Sequence, residues 1–569
     1  MGDGDFRGLT EQFIQGRLSR RRFLEASALL GLGGFASLVV AACSSGTTAT
    51  ATAALTAAAS ASGASAASAA ASLAATAPTA SAAATTSAVG SAHVGGALNV
   101  AAAQGISQLD PYKILFAWEE VLYPVLWNAL TGYTQSSPDV QPELASWTTS
   151  ADLATYTFKL RPGIKFSNGK VLTADDVVAD ITRALDPKTV FIEAFLVPKI
   201  KTVKALDPST VEFTLMQPSA NLPDALAKIP IVDPASLGQI NTNPIGTGRF
   251  TVKEFVPNDH VTLARNASYW GDQPALDTMK IATAQDPTAA VTSLRGGDLD
   301  VFWSVPWQDA KQMQSDGSAL IVTAELPSAS IIFETDNTSP PFNNVSARQA
   351  LVYATDKQTM IDAAYAGKAL ISSTNQPIAS NSEYFNSALP VYAFDLDKAK
   401  TLFAQGGINS GDTLTFWTTA GQYPEWTIYG QILQSDLAKI GIKLVIQSNE
   451  INTWVAKFGP AGKKFPGLLV PNFYSGAPAP QILSFWTPGI CECNYNNPSY
   501  NSLLTQAAAA KDPATRTQLL GQAQILIAQD APVVFIGQTS WPIAVRPSIK
   551  GVWEDPGTIT HVETASLGS

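Results

Sequence analysis

The sequence predicts an α/β fold built as two lobes, and two observations carry that expectation. The body left after an N-terminal leader and tether runs from about Val94 to Ser569, too long for one compact core and natural for two. Along it, runs with period-2 alternation of apolar side chains keep giving way to helical segments with cap and stop signals. The whole chain is 46% hydrophobic and 14% charged with 12 Trp, which fits a well-packed soluble protein. A formal net charge of -10 argues against nucleic acid or an anionic membrane surface as a partner.

The chain opens with a polar segment, then Ser19-Arg20-Arg21-Arg22-Phe23-Leu24 and an apolar run from Ala26 to Ala42. Basic residues before a run too short and Gly-rich for a comfortable membrane span describe an export signal. The Arg20-Arg21 pair resembles the twin-arginine type, although Glu25 stands where that pattern usually has Lys. Val40-Ala41-Ala42-Cys43 resembles a bacterial lipobox, which implies a lipid on the Cys43 thiol; the alternative is a plain cleaved signal with a coincidental Cys. Residues 1–43 are thus a signal with a lipobox. Residues 44–93 are almost entirely Ala, Ser, Thr and Gly and cannot bury enough surface to offset the entropy of ordering. As a coil of about 50 residues they reach roughly 40 Å, a tether; an Ala-rich helix is the competing reading.

In the body, Gly95 to Ala101 reads as a Gly-led strand, followed by Leu109-Asp110-Pro111. Val121, Leu122, Leu126 and Leu130 then fall at helical spacing, which puts Trp118-Glu119-Glu120 at a helix start. The next stretch, residues 139–178, is the most informative. Tyr156, Phe158 and Leu160 alternate with Thr157 and Lys159 as a strand with one buried face. Arg161-Pro162-Gly163 turns the chain, Ile164 and Phe166 suggest a second short strand, and Ser167-Asn168-Gly169 turns it again. Thr173 with Asp176 forms a capping box for a helix starting near Ala174.

The order of these signals is distinctive. Pro142, Leu144, Ala145 and Trp147, the strand to Gly163, then Phe166-Ser167-Asn168-Gly169, then Leu172-Thr173-Ala174-Asp175-Asp176-Val177 resemble the signature of extracellular solute-binding proteins of ABC importers, family 5. That family includes dipeptide-, oligopeptide- and nickel-binding proteins. The resemblance recurs in Gly246-Thr247-Gly248, with Arg249 and Phe250 replacing the family's Pro-Tyr, and in Arg265-Asn266 with Tyr269-Trp270. It continues through Leu294 to Asp300, and through Asn337, Pro341, Phe342, Val345 and Arg348 to Leu351. A strand rather than a helix follows Gly248, so the Gly-x-Gly is not read as a nucleotide site.

The resemblance implies a periplasmic-binding-protein-like fold of the class II type, with an extra subdomain in the first lobe and a hinge between lobes. It places the first lobe at 94–337, the extra subdomain at about 120–243, the second lobe at 338–530 and a return to the first lobe over 531–569. It implies a substrate-binding lipoprotein, exported and anchored by lipid to the outer face of the cytoplasmic membrane. Its lobes close over a peptide or similar small solute and present it to ABC permease subunits, the protein acting as a monomer. Glu119 stands where peptide-binding relatives can put a cleft acid, though a helix-terminal carboxylate favoured by the dipole explains it equally. The strand after Asp300 brings Trp303 and Ser304 toward the cleft. In peptide-binding relatives an Asp within Trp-x-x-Asp-Tyr-x-x-Pro pairs with the ligand's α-amino group; here that stretch is Phe473-Tyr474-Ser475-Gly476, with Gly476 in the Asp position. Trp417, Tyr423, Trp454 and Trp486 complete the candidate ligand-binding set, since aromatic faces suit sugar rings, apolar side chains and cations. An oligosaccharide or other neutral solute is therefore the alternative ligand.

No cofactor or metal is expected. Histidine is limited to His93, His260 and His561, which disfavours nickel, and there is neither Gly-x-Ser-x-Gly nor His-Glu-x-x-His for a hydrolase. Cys491-Glu492-Cys493 leaves three readings open: a local disulfide, two free thiols or half of a soft-metal site.

Overall fold

The computed structural model describes residues 95–102, 105–114, 117–189, 191–324, 327, 329–419, 423–458, 463–474 and 481–568. Arg20, Arg21, Cys43 and the tether lie outside the described residues, as does Gly476. No helix among the described residues is long and apolar enough to cross a membrane.

Two large sheets form the lobes. The first has seven strands in the order Leu320–Val322, Ile543–Val545, Val301–Trp303, Ala97–Ala102, Thr278–Thr283, His260–Arg265 and Phe250–Val256. Its centre is the Gly-led strand, which runs parallel to both neighbours and buries Leu98, Val100 and Ala102. The second has six strands in the order Leu370–Ile371, Val533–Thr539, Ala329–Glu334, Leu468–Tyr474, Thr413–Thr419 and Lys443–Asn449. Ala329–Glu334 and Val533–Thr539 are buried at every residue, the pattern of strands covered on both faces.

A third, four-stranded antiparallel sheet spans Ala145–Thr149, Thr155–Leu160, Thr210–Leu215 and Ile200–Asp207. The helix Ala174–Ala184 lies on it through Val177 and Ile181, and starts at a complete Thr173/Asp176 capping box. The second strand expected at Ile164–Phe166 is reduced to a single bridge between Lys165 and Val171. Its turns at Gly163 and Gly169, both at positive φ, leave too few residues between them to continue a ladder. Glu119 lies not in an α-helix but in a 3₁₀ turn, Ala117–Val121, that leads into the short helix Leu122–Leu126.

The chain passes between the lobes twice. Strand pairing puts the first passage between Val322 and Ala329, and the second between Thr539 and Ile543. Both differ from the boundaries expected at 337/338 and 530/531. The fully buried strands that follow Pro327 and Pro532 belong to the second-lobe sheet, so the switch comes before the first and after the second. The passages run side by side, with the Ser540 hydroxyl donating to the Ala324 carbonyl at 3.4 Å. Gly246-Thr247-Gly248 is a packing element: a Cβ at Gly248 would lie 2.3 Å from the Leu126 carbonyl carbon, and the Thr247 hydroxyl accepts from Asn128 N at 3.1 Å.

Candidate functional site

The site is built where the passages leave the sheets. Trp303 ends its strand in the first lobe, and Ser304 follows in the left-handed region at φ 57, turning the chain away so that the indole faces the passage. The Trp303 N–H donates to Thr560 Oγ1 at 3.0 Å, fixing the ring on the C-terminal segment. Its neighbours are Trp118 at 6.2 Å and Trp541 at 5.7 Å between ring centroids. Trp541 sits in the second passage and meets Phe473, at the end of a second-lobe strand, edge-on at 5.3 Å. Phe473 in turn packs on Tyr423 and Trp426, each at 5.8 Å, and those two rings stack at 4.3 Å. One run of aromatic rings therefore passes from the first lobe to the second, through the hinge, with Trp303, Trp541, Phe473 and Tyr423 each only partly buried.

Of the residues singled out in the sequence, the structure gathers Trp303, Ser304, Tyr423 and Phe473 at this junction. Trp454 lies one ring deeper, against Trp426 at 5.3 Å and Phe458 at 4.8 Å, and is buried. Trp486 is fully buried in the second lobe, edge-on to Phe535 at 4.7 Å. Glu119 is also buried, and accepts from the amide and hydroxyl of Ser107 at 3.1 and 3.3 Å. Trp417 stands apart: it donates to Gln447 at 3.1 Å and lines a recess of about 330 Å³ with Lys457, Lys464 and Phe465. Tyr474 contributes its backbone to the strand, pairing with Ser330. Trp118 and Trp541 were missed by sequence reasoning; the only signal for Trp541 was its place beside Pro542 between two apolar strands.

A buried ionic group lies beside Gly557 of the C-terminal segment. The Lys228 ammonium is 2.6 Å from Glu120 and 3.7 Å from Glu193. Burial works against its charge, but these carboxylates and Asp555 outweigh it and raise its pKa. Burial likewise raises Glu193 well above the ordinary carboxylate range. Glu554 accepts from Ala324 N at 2.7 Å, tying the first passage to the C-terminal hairpin, and burial pushes its carboxyl up to about 8. His561 stacks on Trp553 at 3.9 Å; burial opposes its charge, yet Glu563 and Asp555 hold the imidazolium up to about 10.

The two lobes also touch through residues outside the two passages. Ala220 N, in the subdomain, donates to Ala508 O in a second-lobe helix at 3.0 Å, and Leu196 packs against the second-lobe cluster that contains Phe535. Tyr133, Asp224 and Lys228 face Gln481 across the gap, where about 10 Å³ remains open, room for a single water. The two lobes are thus joined by the aromatic run at the passages and by the Ala220–Ala508 hydrogen bond.

Residues 139–487 match the family model for bacterial extracellular solute-binding proteins, family 5 (middle region). The chain belongs to that family. It is a substrate-binding protein of the ABC-importer type and not an enzyme. The glutathione-binding protein GsiB of Escherichia coli K12 is 28% identical over 488 residues, 82% of this chain and 94% of that protein. Among solved structures, the Helicobacter pylori periplasmic binding protein DppA in complex with the peptide STSA aligns with a TM-score of 0.74 at 22% identity. That alignment covers 84% of this chain and 99% of the other. The binding protein AgaA of A. tumefaciens R10, in complex with agropinic acid, gives a TM-score of 0.75 at 24% identity, over 83% and 99% of the two chains. These likenesses establish the two-lobed fold.

Proposed function

We propose that this protein captures a peptide or similar small solute between its lobes, with Trp303, Trp541, Phe473 and Tyr423 as the contact surface, and delivers it to an ABC permease. The observation that carries the reading is the continuity of the ring run through Trp541, because a guest seated against it touches both lobes. A ligand favours closure by as much as its affinity for the closed form exceeds that for the open form. Glutathione, a tripeptide, is the first solute to test, given the name of the 28% identical relative. The second reading, an oligosaccharide or other neutral solute, draws support from the aromatic faces and from Gly476 in place of an acid, since a peptide ammonium shut in without a counter-charge costs several kcal/mol. We further propose a lipoprotein exported by way of Arg20 and Arg21, anchored through Cys43 and acting as a monomer at the end of the 44–93 tether.

A thermal-shift screen of glutathione, dipeptides and oligosaccharides on the purified protein tests the reading, because a solute held only by the folded form raises the melting temperature. Saturable stabilisation that Phe473→Ala abolishes while the variant stays folded supports it. Catalytic conversion of the solute, or binding indifferent to both Trp303→Ala and Phe473→Ala, overturns it.

A further inference from the structure

The pair Cys491 and Cys493 has no part in the aromatic run, and the structure places both against the strand that enters the second lobe. Their Cα atoms are 5.1 Å apart, and the two sulfurs and a carboxylate oxygen of Glu334 all lie within 4.8 Å of one another. All three residues are buried, Glu334 and Cys493 fully so, within a cluster otherwise lined by Ile332, Trp486 and Phe535. The loop is held in place from outside: Asn337 donates to the Cys493 carbonyl from its backbone at 2.9 Å and its side chain at 2.7 Å. Asn494 donates to Asp336 Oδ1 at 3.1 Å. In the structure the sulfurs are joined as a disulfide. The Asn472 side-chain amide donates to Glu334 Oε1 at 3.4 Å, and a divalent cation would employ that carboxylate together with both sulfurs as donors.

We propose that the dithiol form of Cys491 and Cys493, together with Glu334, is a binding site for a thiophilic divalent cation of the zinc type. Two S–H groups release their protons, two metal–sulfur bonds and one metal–oxygen bond form, and no electron is transferred. Thiolates select soft or borderline cations, and three protein donors leave a further position for water. The metal-bound and disulfide forms exclude each other, since a sulfur bonded to sulfur has no thiolate to offer. A newly made chain carries the dithiol, so loading before oxidation needs no reductant. The cation would staple the 487–497 loop to the end of the Ala329–Glu334 strand, directly after the first interlobe passage.

The probe is cadmium, added without oxygen to the phosphine-reduced full chain carrying Cys43→Ser, which removes the only other thiol. The expected result is a sulfur-to-cadmium charge-transfer band that saturates at one equivalent, is absent from the oxidised protein and is lost in Cys491→Ser. Glu334→Gln should weaken binding by at least about tenfold, the lower bound for losing even an outer-shell partner. Because that variant can fail to fold, cadmium NMR of the chain with Glu334 intact supplies a second readout. A shift in the range of two sulfurs with oxygen donors supports the site. No band from folded, reduced protein, affinity unchanged by Glu334→Gln, or a shift of an all-sulfur set overturns it.

Discussion

Glu554 shows how one buried carboxyl couples the hinge to pH. Burial raises it from the ordinary 4.5 to about 8, while Ala324 N and Lys228 pull the other way. Between those two values the folded chain keeps a proton that the unfolded chain has released. Its contribution to stability is therefore complete below pH 4.5 and is lost as pH rises toward about 8. Glu554→Gln should flatten the fall in unfolding free energy over that window, by an amount on the order of a few kcal/mol. An equal slope in both proteins would show that the carboxyl is not held protonated. Trp541 belongs to the same scale. It makes two aromatic pairs, one to each lobe. At about 0.5–1.5 kcal/mol per pair, Trp541→Ala should remove about 1–3 kcal/mol from the form in which the lobes are joined and so weaken solute affinity by roughly tenfold or more through the closure equilibrium, and Trp541→Phe by less. Titration calorimetry with whichever solute the screen finds measures both. Sequence could nominate aromatics as a class, but not say that Trp486 faces Phe535 in the core while Trp303 faces the hinge.

At the scale of elements, the local signals translate directly. The Thr173/Asp176 box starts its helix where the spacing required, and Gly297 at φ 88 ends the helix Pro287–Gly296 before the Val301–Trp303 strand. Thr173→Ala should cost about 1 kcal/mol, read as a shift in the urea midpoint without loss of solute binding, because the helix supports the subdomain and not the ring run. The Arg348 motif also gains a physical reason. The Arg348 guanidinium donates to Asp530 O at 3.0 and 2.8 Å and to Phe342 O at 2.8 Å, tying the helix Val345–Ala354 to the C-terminal end of Pro513–Asp530, where a cation meets the helix dipole favourably. Where elements were misplaced, as at Ile164–Phe166, two closely spaced turns had overridden the strand propensity of the residues between them.

For the whole molecule, the reading to test is a clamp that shuts on its solute and is held at a membrane by one lipidated thiol. Cys43→Ala should move the protein from the membrane fraction to the soluble fraction; retention in membranes would defeat the anchor. Small-angle scattering should show a more open form without solute and contraction when it is added, and an unchanged profile would mean a rigid body. What the sequence determined by itself was the alternation of strands and helices, their caps and turns, and the family, because these depend on residues within a few positions of one another. What only the tertiary structure decided was where the chain changes lobe, that Trp541 joins Trp303 to Phe473, and that Glu334 stands beside Cys491 and Cys493. Those groupings come from pairing between strands far apart in the chain, and side-chain periodicity within one strand carries no information about which distant strand it will meet.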